Sequence, residues 1–85
     1  MNLIKILMEM CGEEKGYVAI LHPDKSDFAL NLAKSKLEKI ILDTRLIVRG
    51  IYKGKVISLY KNGKIAIKEV NDKKEAENLF KELLS

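Results

Sequence analysis

The stretch VISLYKNGKIAI at residues 56–67 decides the predicted fold. Apolar side chains alternate with small or polar ones on both sides of Asn62-Gly63, and this period of two is typical of two β-strands joined by a tight turn. The Asn-Gly dipeptide favours a type I′ turn, because both residues tolerate a positive φ. The sequence therefore predicts a β-hairpin whose buried face carries the apolar side chains Ile57, Leu59, Ile65 and Ile67.

A third β-prone run precedes this hairpin and is separated from it by Gly54. The predicted strands cover residues 45–52, 55–61 and 64–70, and they form an antiparallel meander. A helix over residues 72–84 follows, because Asp72 begins an Asp-x-x-Glu capping pattern and Ala76, Leu79, Phe80 and Leu83 recur at helical spacing.

The first half of the chain predicts two helices and a strand. Leu3, Leu7 and Met10 share one helical face, so a short helix is expected over residues 2–11. A compact apolar run at residues 17–22, closed by Pro23, indicates a strand. A long helix is then expected over residues 25–42, with Asp24 as its cap and alanines and leucines at helical spacing.

Together these elements predict a single α+β domain over residues 1–85. Its N-terminal helix falls within residues 1–14 and its β-α-β-β-β-α body within residues 16–85. The expected order is α-β-α-β-β-β-α, with an antiparallel sheet of about four strands and all helices on one face.

Length and composition limit the function classes. A chain of 85 residues with 47% hydrophobic and 33% charged residues excludes a multi-domain enzyme. The single Cys11 excludes an internal disulfide and a cysteine-based zinc site. Residues 2–11 contain Lys5 and Glu9, which argues against a signal peptide or a membrane span and favours a cytoplasmic protein. High Lys, Glu and Ile without Gln or Trp is a thermophile-like composition.

The net charge of +4 is unevenly distributed. Residues 1–42 are neutral, residues 43–68 carry +6 and residues 69–85 carry −2, so the meander is the basic part of the chain. If the sheet buries one face under helices, the other face is expected to present five side chains that form the candidate binding site. These are Arg45, Arg49, Tyr60, Lys64 and Lys68.

Three interpretations of that face remain open. Cations beside an aromatic ring suit a nucleic-acid backbone. Ile47, Ile51 and Ala66 beside Tyr60 form an apolar strip, which suits a protein partner or a homodimer. The lysines also keep a small domain soluble and discourage pairing at sheet edges.

The sequence offers little for catalysis. His22, Asp24 and Asp27 are close in sequence, but aspartates at a helix start are favoured for capping and for the helix dipole. The glycines between Cys11 and Tyr17 lack the Lys-Ser/Thr order of a phosphate-binding loop, so this segment is expected to be a turn. We therefore expect no enzyme activity, metal, cofactor or small-molecule substrate.

The C-terminal half resembles one repeat of the TATA-box-binding protein family. The segment Leu59-Tyr60-Lys61-Asn62-Gly63-Lys64 is similar to that family's apolar-aromatic-x-x-Gly-Lys hairpin, which a strand and a helix follow. The resemblance implies a half-saddle that needs a second copy or partner to match the two repeats of the family. It places Tyr60 at one apolar wedge position for DNA and Asp43 at the other.

In its size and its C-terminal segment the chain is also similar to the small dimerising subunit of the KEOPS tRNA-modifying complex. Gly63 to Ile67, then Asp72 and the helix after it, carry this second resemblance. It implies an accessory role in protein assembly without catalysis.

Overall fold

A computed structural model describes residues 3–10 and 15–85. In these ranges the chain forms a six-stranded sheet, two α-helices and a short 3₁₀ turn at Pro23–Lys25. The strands and helices are β1 (Ile4–Glu9), β2 (Gly16–Leu21), α1 (Ser26–Lys36), β3 (Lys39–Asp43), β4 (Ile47–Tyr52), β5 (Lys55–Tyr60), β6 (Lys64–Lys68) and α2 (Lys73–Leu83).

The sheet has the strand order β1-β2-β6-β5-β4-β3, and every neighbouring pair is antiparallel. Strands β4, β5 and β6 form the predicted meander, and β6 pairs on its other side with β2. The edge strands are β1 and β3. Both helices pack against one face, which leaves the other face without a covering layer in the described part of the chain.

The core lies between the sheet and the two helices. Ile57, Leu59, Ile65 and Ile67 are each at most 2% exposed, so their predicted inward orientation is confirmed. Burial of each such side chain contributes on the order of 2 kcal/mol. The helices supply the other half of this core through Ala29, Leu30, Ala33, Ala76, Leu79, Phe80 and Leu83.

The predicted N-terminal helix is wrong, because Ile4–Glu9 forms the edge strand β1. Leu7 lies opposite Ala19 on the helix side, while Ile6 and Met8 lie on the other face. Apolar residues on both faces of this edge obscured the alternation, and pairing with β2 prevailed over the weak helical pattern. The predicted turn between Cys11 and Tyr17, and Cys11 itself, fall mainly outside the described residues.

The predicted long helix over residues 25–42 is wrong in its second half. Helix α1 ends at Lys36, Leu37 is extended, and Lys39–Asp43 forms β3. The β-branched run Ile40-Ile41 pairs with β4 at the edge of the sheet, where its β propensity is satisfied. The expected Asp24 cap is also absent, because Asp24 lies in the 3₁₀ turn and α1 begins without a side-chain cap.

These two changes account for the incorrect strand number and element order. The observed order in the described residues is β-β-α-β-β-β-β-α, with six strands rather than about four. The final helix agrees with its prediction, and the Asp72 carboxylate accepts a hydrogen bond from the Glu75 amide at 2.9 Å. No helix in residues 3–10 or 15–85 is long and apolar enough to cross a membrane.

The two hairpin turns of the meander differ in geometry. Lys53 and Gly54, with φ of 51° and 77°, form the two-residue turn between β4 and β5, where both central residues need a positive φ. Asn62 does not have a positive φ, and Gly63 alone, at 102°, closes a three-residue loop between β5 and β6. The predicted type I′ turn at Asn62-Gly63 is therefore wrong.

Gly50 provides a test of the packing between β3 and β4. A Cβ atom at this position would lie 2.5 Å from the Lys39 carbonyl oxygen and 2.8 Å from Leu37 Cδ1. We expect Gly50→Ala to lower the free energy of unfolding by about 1–3 kcal/mol through overpacking, measured by urea denaturation. The control is Gly54→Ala, which meets no atom within 4 Å and has only its positive φ to strain. Because Gly54→Ala also loses stability through its positive φ, the result that would contradict the close contact is a Gly50→Ala variant as stable as the wild type.

Candidate binding surface

The uncovered face of the sheet, here called the open face, is built from three rows of cross-strand neighbours. Because side chains alternate between faces, residues paired in register line up across the strands. The first row is Ile6, Ile20, Lys64, Tyr60 and Ile47. The second row is Met8, Val18, Ala66, Ser58, Arg49 and Leu42. The third row includes Gly16 and Lys68 at one end, and Val56, Ile51 and Lys39 at the other.

One part of the open face is basic, and we define the basic half as Arg49, Tyr60, Lys64 and Lys68. Lys64 is exposed and lies directly opposite the half-buried Tyr60 on β5. The Nε–H of Arg49 donates to Ser58 Oγ at 3.1 Å, which holds the guanidinium close to the sheet. Lys68 is half-buried and already interacts within the protein.

Charge is separated between the two faces of the sheet. The charged side chains at open-face positions of the strands are Lys39, Arg49, Lys64 and Lys68, and all are cations. The two carboxylates within the described strands, Glu9 and Asp43, lie on the helix side. An anion that approaches the open face therefore meets positive charge without a strand carboxylate beside it.

On the helix side, carboxylates are neutralised by nearby donors. Lys34 of α1 binds Asp43 at 3.0 Å. Glu82 of α2 accepts a hydrogen bond from the Tyr52 hydroxyl at 2.8 Å and forms an ion pair with Lys53 at 2.6 Å. The hydrogen bond from Lys53, and then that from Tyr52, lowers the pKa of Glu82 below its ordinary value. These contacts link the β4–β5 turn to the final helix.

The other part of the open face is apolar, and we define the apolar half as Ile6, Met8, Val18 and Ile20. These side chains lie on the neighbouring strands β1 and β2, with Ile6 opposite Ile20 and Met8 opposite Val18. Ile6 is 45% exposed and Met8 is 48% exposed. Unlike the basic half, the residues of β1 and β2 that the structure places on the open face carry no charged side chain.

Four of the five predicted site residues share the open face, but Arg45 does not belong to a strand. Strand β4 begins at Ile47, and Arg45 lies in the exposed connection from β3. The alternation that would bring Arg45 to the open face needs both Leu46 and Val48 to point inward, but Leu46 is 79% exposed and Val48 alone is buried. Asp43 is on the helix side, so it does not occupy the DNA-facing position that the resemblance implied.

Several residues of the face were missed by the sequence reasoning. The sequence predicts helices over Lys39 and Leu42 and over Ile6 and Met8, whereas these residues lie in the edge strands β3 and β1. The alternation in Val18 and Ile20 was available in the sequence. For β1 and β3 no local signal identified the strands, because both have apolar side chains at consecutive positions.

The remaining candidates for chemistry do not form a catalytic cluster. His22 is half-buried, with its amide bound to the Leu3 carbonyl oxygen, while Asp24 and Asp27 are exposed. Among residues 3–10 and 15–85, no three His, Cys, Asp or Glu side chains are grouped so that they could hold a metal ion.

A groove of about 570 Å³ lies between β1 and α2, and its apolar lining comes from Leu3, Ile4, Leu7, Phe80 and Leu84.

No protein-family model, curated protein or solved structure matches this chain. The two resemblances noted from the sequence therefore stay predictions.

The Glu82 contacts predict a pH-dependent contribution to stability. Because the folded-state pKa of Glu82 is lowered, its contribution is present above the unfolded-state pKa of about 4.3 and is lost as the pH falls through the folded-state pKa. We expect Glu82→Gln to lower the melting temperature at pH 7. At pH 3 the melting temperature of this variant should approach that of the wild type. The control is Glu77→Gln, which lies on the same helix but outside this ion pair. Its difference in melting temperature from the wild type should change less between pH 7 and pH 3. A Glu82→Gln deficit of equal size at both pH values would contradict the expectation.

Proposed function

We propose that this chain is a non-enzymatic binding module whose basic half contacts the backbone of a nucleic acid. The observation that carries this proposal is the placement of Arg49 and Lys64 around Tyr60 on one open face without a strand carboxylate. Cations at such positions displace counterions from phosphates. An accessible aromatic ring adds stacking with a base exposed in a single strand or loop.

The geometry of Arg49 supports an anion contact. Ser58 is 1% exposed, and its hydroxyl accepts a hydrogen bond from the Nε–H of the Arg49 guanidinium. The fork of Nη donors at the other end suits a phosphate oxygen pair. Ser58 and Ala66, in the same row as Arg49, are 1% and 6% exposed, so an anion at this row would meet the partly exposed Arg49 side chain rather than the strand backbone.

A non-enzymatic role also agrees with the sequence, which has one histidine and one cysteine. We expect the protein to act in the cytoplasm, as its composition and lone cysteine predict.

A second candidate function is protein assembly, and the apolar half favours it. Four apolar side chains at the outward positions of two adjacent strands, uncovered by any described element, are typical of a surface that another protein layer covers. This candidate agrees with the expectation of a dimerising accessory subunit. It predicts that the melting temperature rises with protein concentration, whereas the nucleic-acid role alone does not require this.

Lys64→Ala tests the nucleic-acid proposal. We expect about a fivefold weaker affinity at low salt, the size of an exposed charge pair of ~1 kcal/mol, for tRNA, single-stranded DNA and duplex DNA alike. The slope of log K against log salt should fall by about one phosphate contact. Fluorescence anisotropy with labelled probes at two salt concentrations measures both quantities.

The matched control is Lys74→Ala, which removes an exposed lysine from α2 on the opposite side of the molecule. The affinity of this variant for the nucleic-acid probes, and its slope of log K against log salt, should stay close to those of the wild type. Identical losses in both variants, or wild-type affinity that does not change with salt, would rule out the basic half as the binding surface.

A further inference from the structure

We propose that two copies of this chain pair through their β1 edges, antiparallel and in register about Leu7, to give one continuous sheet. The inference rests on the assembly role among the proposed functions and names its partner, its strand and its register. The residues that carry it are Lys5, Ile6, Leu7, Met8 and Glu9.

The β1 sequence is complementary to itself in an antiparallel pair. A two-fold axis at Leu7 places Leu7 opposite Leu7 of the second copy, Ile6 opposite Met8, and Lys5 opposite Glu9. Lys5 and Glu9 are exposed, so each copy offers one cation and one carboxylate to the other. Such a two-fold arrangement is isologous, because the same patch serves both subunits and every contact occurs twice.

The backbone of β1 is oriented for this pairing. The Met10 amide donates to the Gly16 carbonyl oxygen at 2.8 Å, so Met8 and Ile6, opposite Val18 and Ile20, direct their backbone groups toward β2 by antiparallel alternation. The backbone groups of Leu7 therefore point away from β2, off the edge of the sheet. Two such Leu7 residues would exchange both N–H···O bonds at the centre of the interface.

Both faces of β1 offer apolar surface that a second copy covers. On the open face, Ile6 and Met8 would join their counterparts into one apolar strip flanked by two basic halves. On the helix side, Leu7 forms part of the floor of the groove between β1 and α2. Leu7 of the second copy would extend this floor, and the two grooves would meet at the axis.

The other edge strand, β3, is less suited to pairing with a second copy than β1. Strand β3 has a similar pattern, with Lys39 and Asp43 at its ends and apolar residues between. However, the Asp43 carboxylate is already bound by Lys34 at 3.0 Å. A register shift between Ile40 and Leu42 also interrupts β3 at its centre, whereas the shift in β1 falls at Lys5, between Ile4 and Ile6, and leaves Ile6 to Glu9 in regular register with β2.

Complementary charge reversals test this register. Lys5→Glu alone places carboxylates opposite each other, and Glu9→Lys alone places cations opposite each other, so each variant should weaken dimerisation by about tenfold. An equimolar mixture of the two variants restores opposite charges at both contacts and should form a heterodimer near wild-type affinity. Sedimentation velocity across a concentration series distinguishes the 9.7 kDa chain from a particle of twice that mass.

Lys39→Glu on β3 is the control, and it should leave the dimer intact. A dimer that Lys39→Glu dissociates while Lys5→Glu and Glu9→Lys do not, or a mixture that fails to pair, would overturn the β1 register but leave an assembly role in place. A wild type that stays monomeric at all concentrations would overturn the homodimer itself. The Lys64→Ala measurement tests nucleic-acid binding independently of either result.

Discussion

The burial of Ile65 and Ile67 beneath the two helices is the constraint on which the rest of the structure depends. Strand β6 is paired on both sides, so its orientation determines which residues of its two neighbours, β2 and β5, point toward each face. A slip of one residue would turn Lys64 and Lys68 into the core. Moving two ammonium groups from the surface into an apolar core has a large free-energy cost, so a single register is strongly preferred.

The open face follows from that register. The same alternation that buries isoleucines places cations, a tyrosine and short side chains on the opposite side. The helix side collects the carboxylates and neutralises Asp43 and Glu82 with lysines. This division gives a small domain two chemically different surfaces. The basic half and the apolar half of the open face differ in chemistry in turn.

The C-terminal half of this fold was accessible from sequence, and the N-terminal half was not. The hairpin and the final helix have strong local patterns, with inward residues such as Leu59 at period two and Leu79 at period 3.6, and burial confirms both patterns. Strands β1 and β3 lack such a pattern because they lie at sheet edges, where consecutive residues such as Ile40 and Ile41 both remain partly exposed. Their conformation comes from pairing with a neighbour, which is information that a local window does not contain. The residues of the basic half lie on strands that their period-two pattern predicts. Ile6 and Met8 of the apolar half lie on β1, where the sequence predicts a helix instead.

The pairing of β2 with β6 also has a consequence for how this chain is made. Gly16 lies opposite Lys68, so the N-terminal strands gain their central neighbour only after most of the polypeptide has left the ribosome. Until then the apolar side chains of β1 and β2 lack both the sheet and α2. Contacts between distant parts of the sequence slow folding, and nascent chains of this topology expose unpaired strands for longer than helical ones. Fragments that end before β6 therefore leave β2 without the central strand on which it pairs.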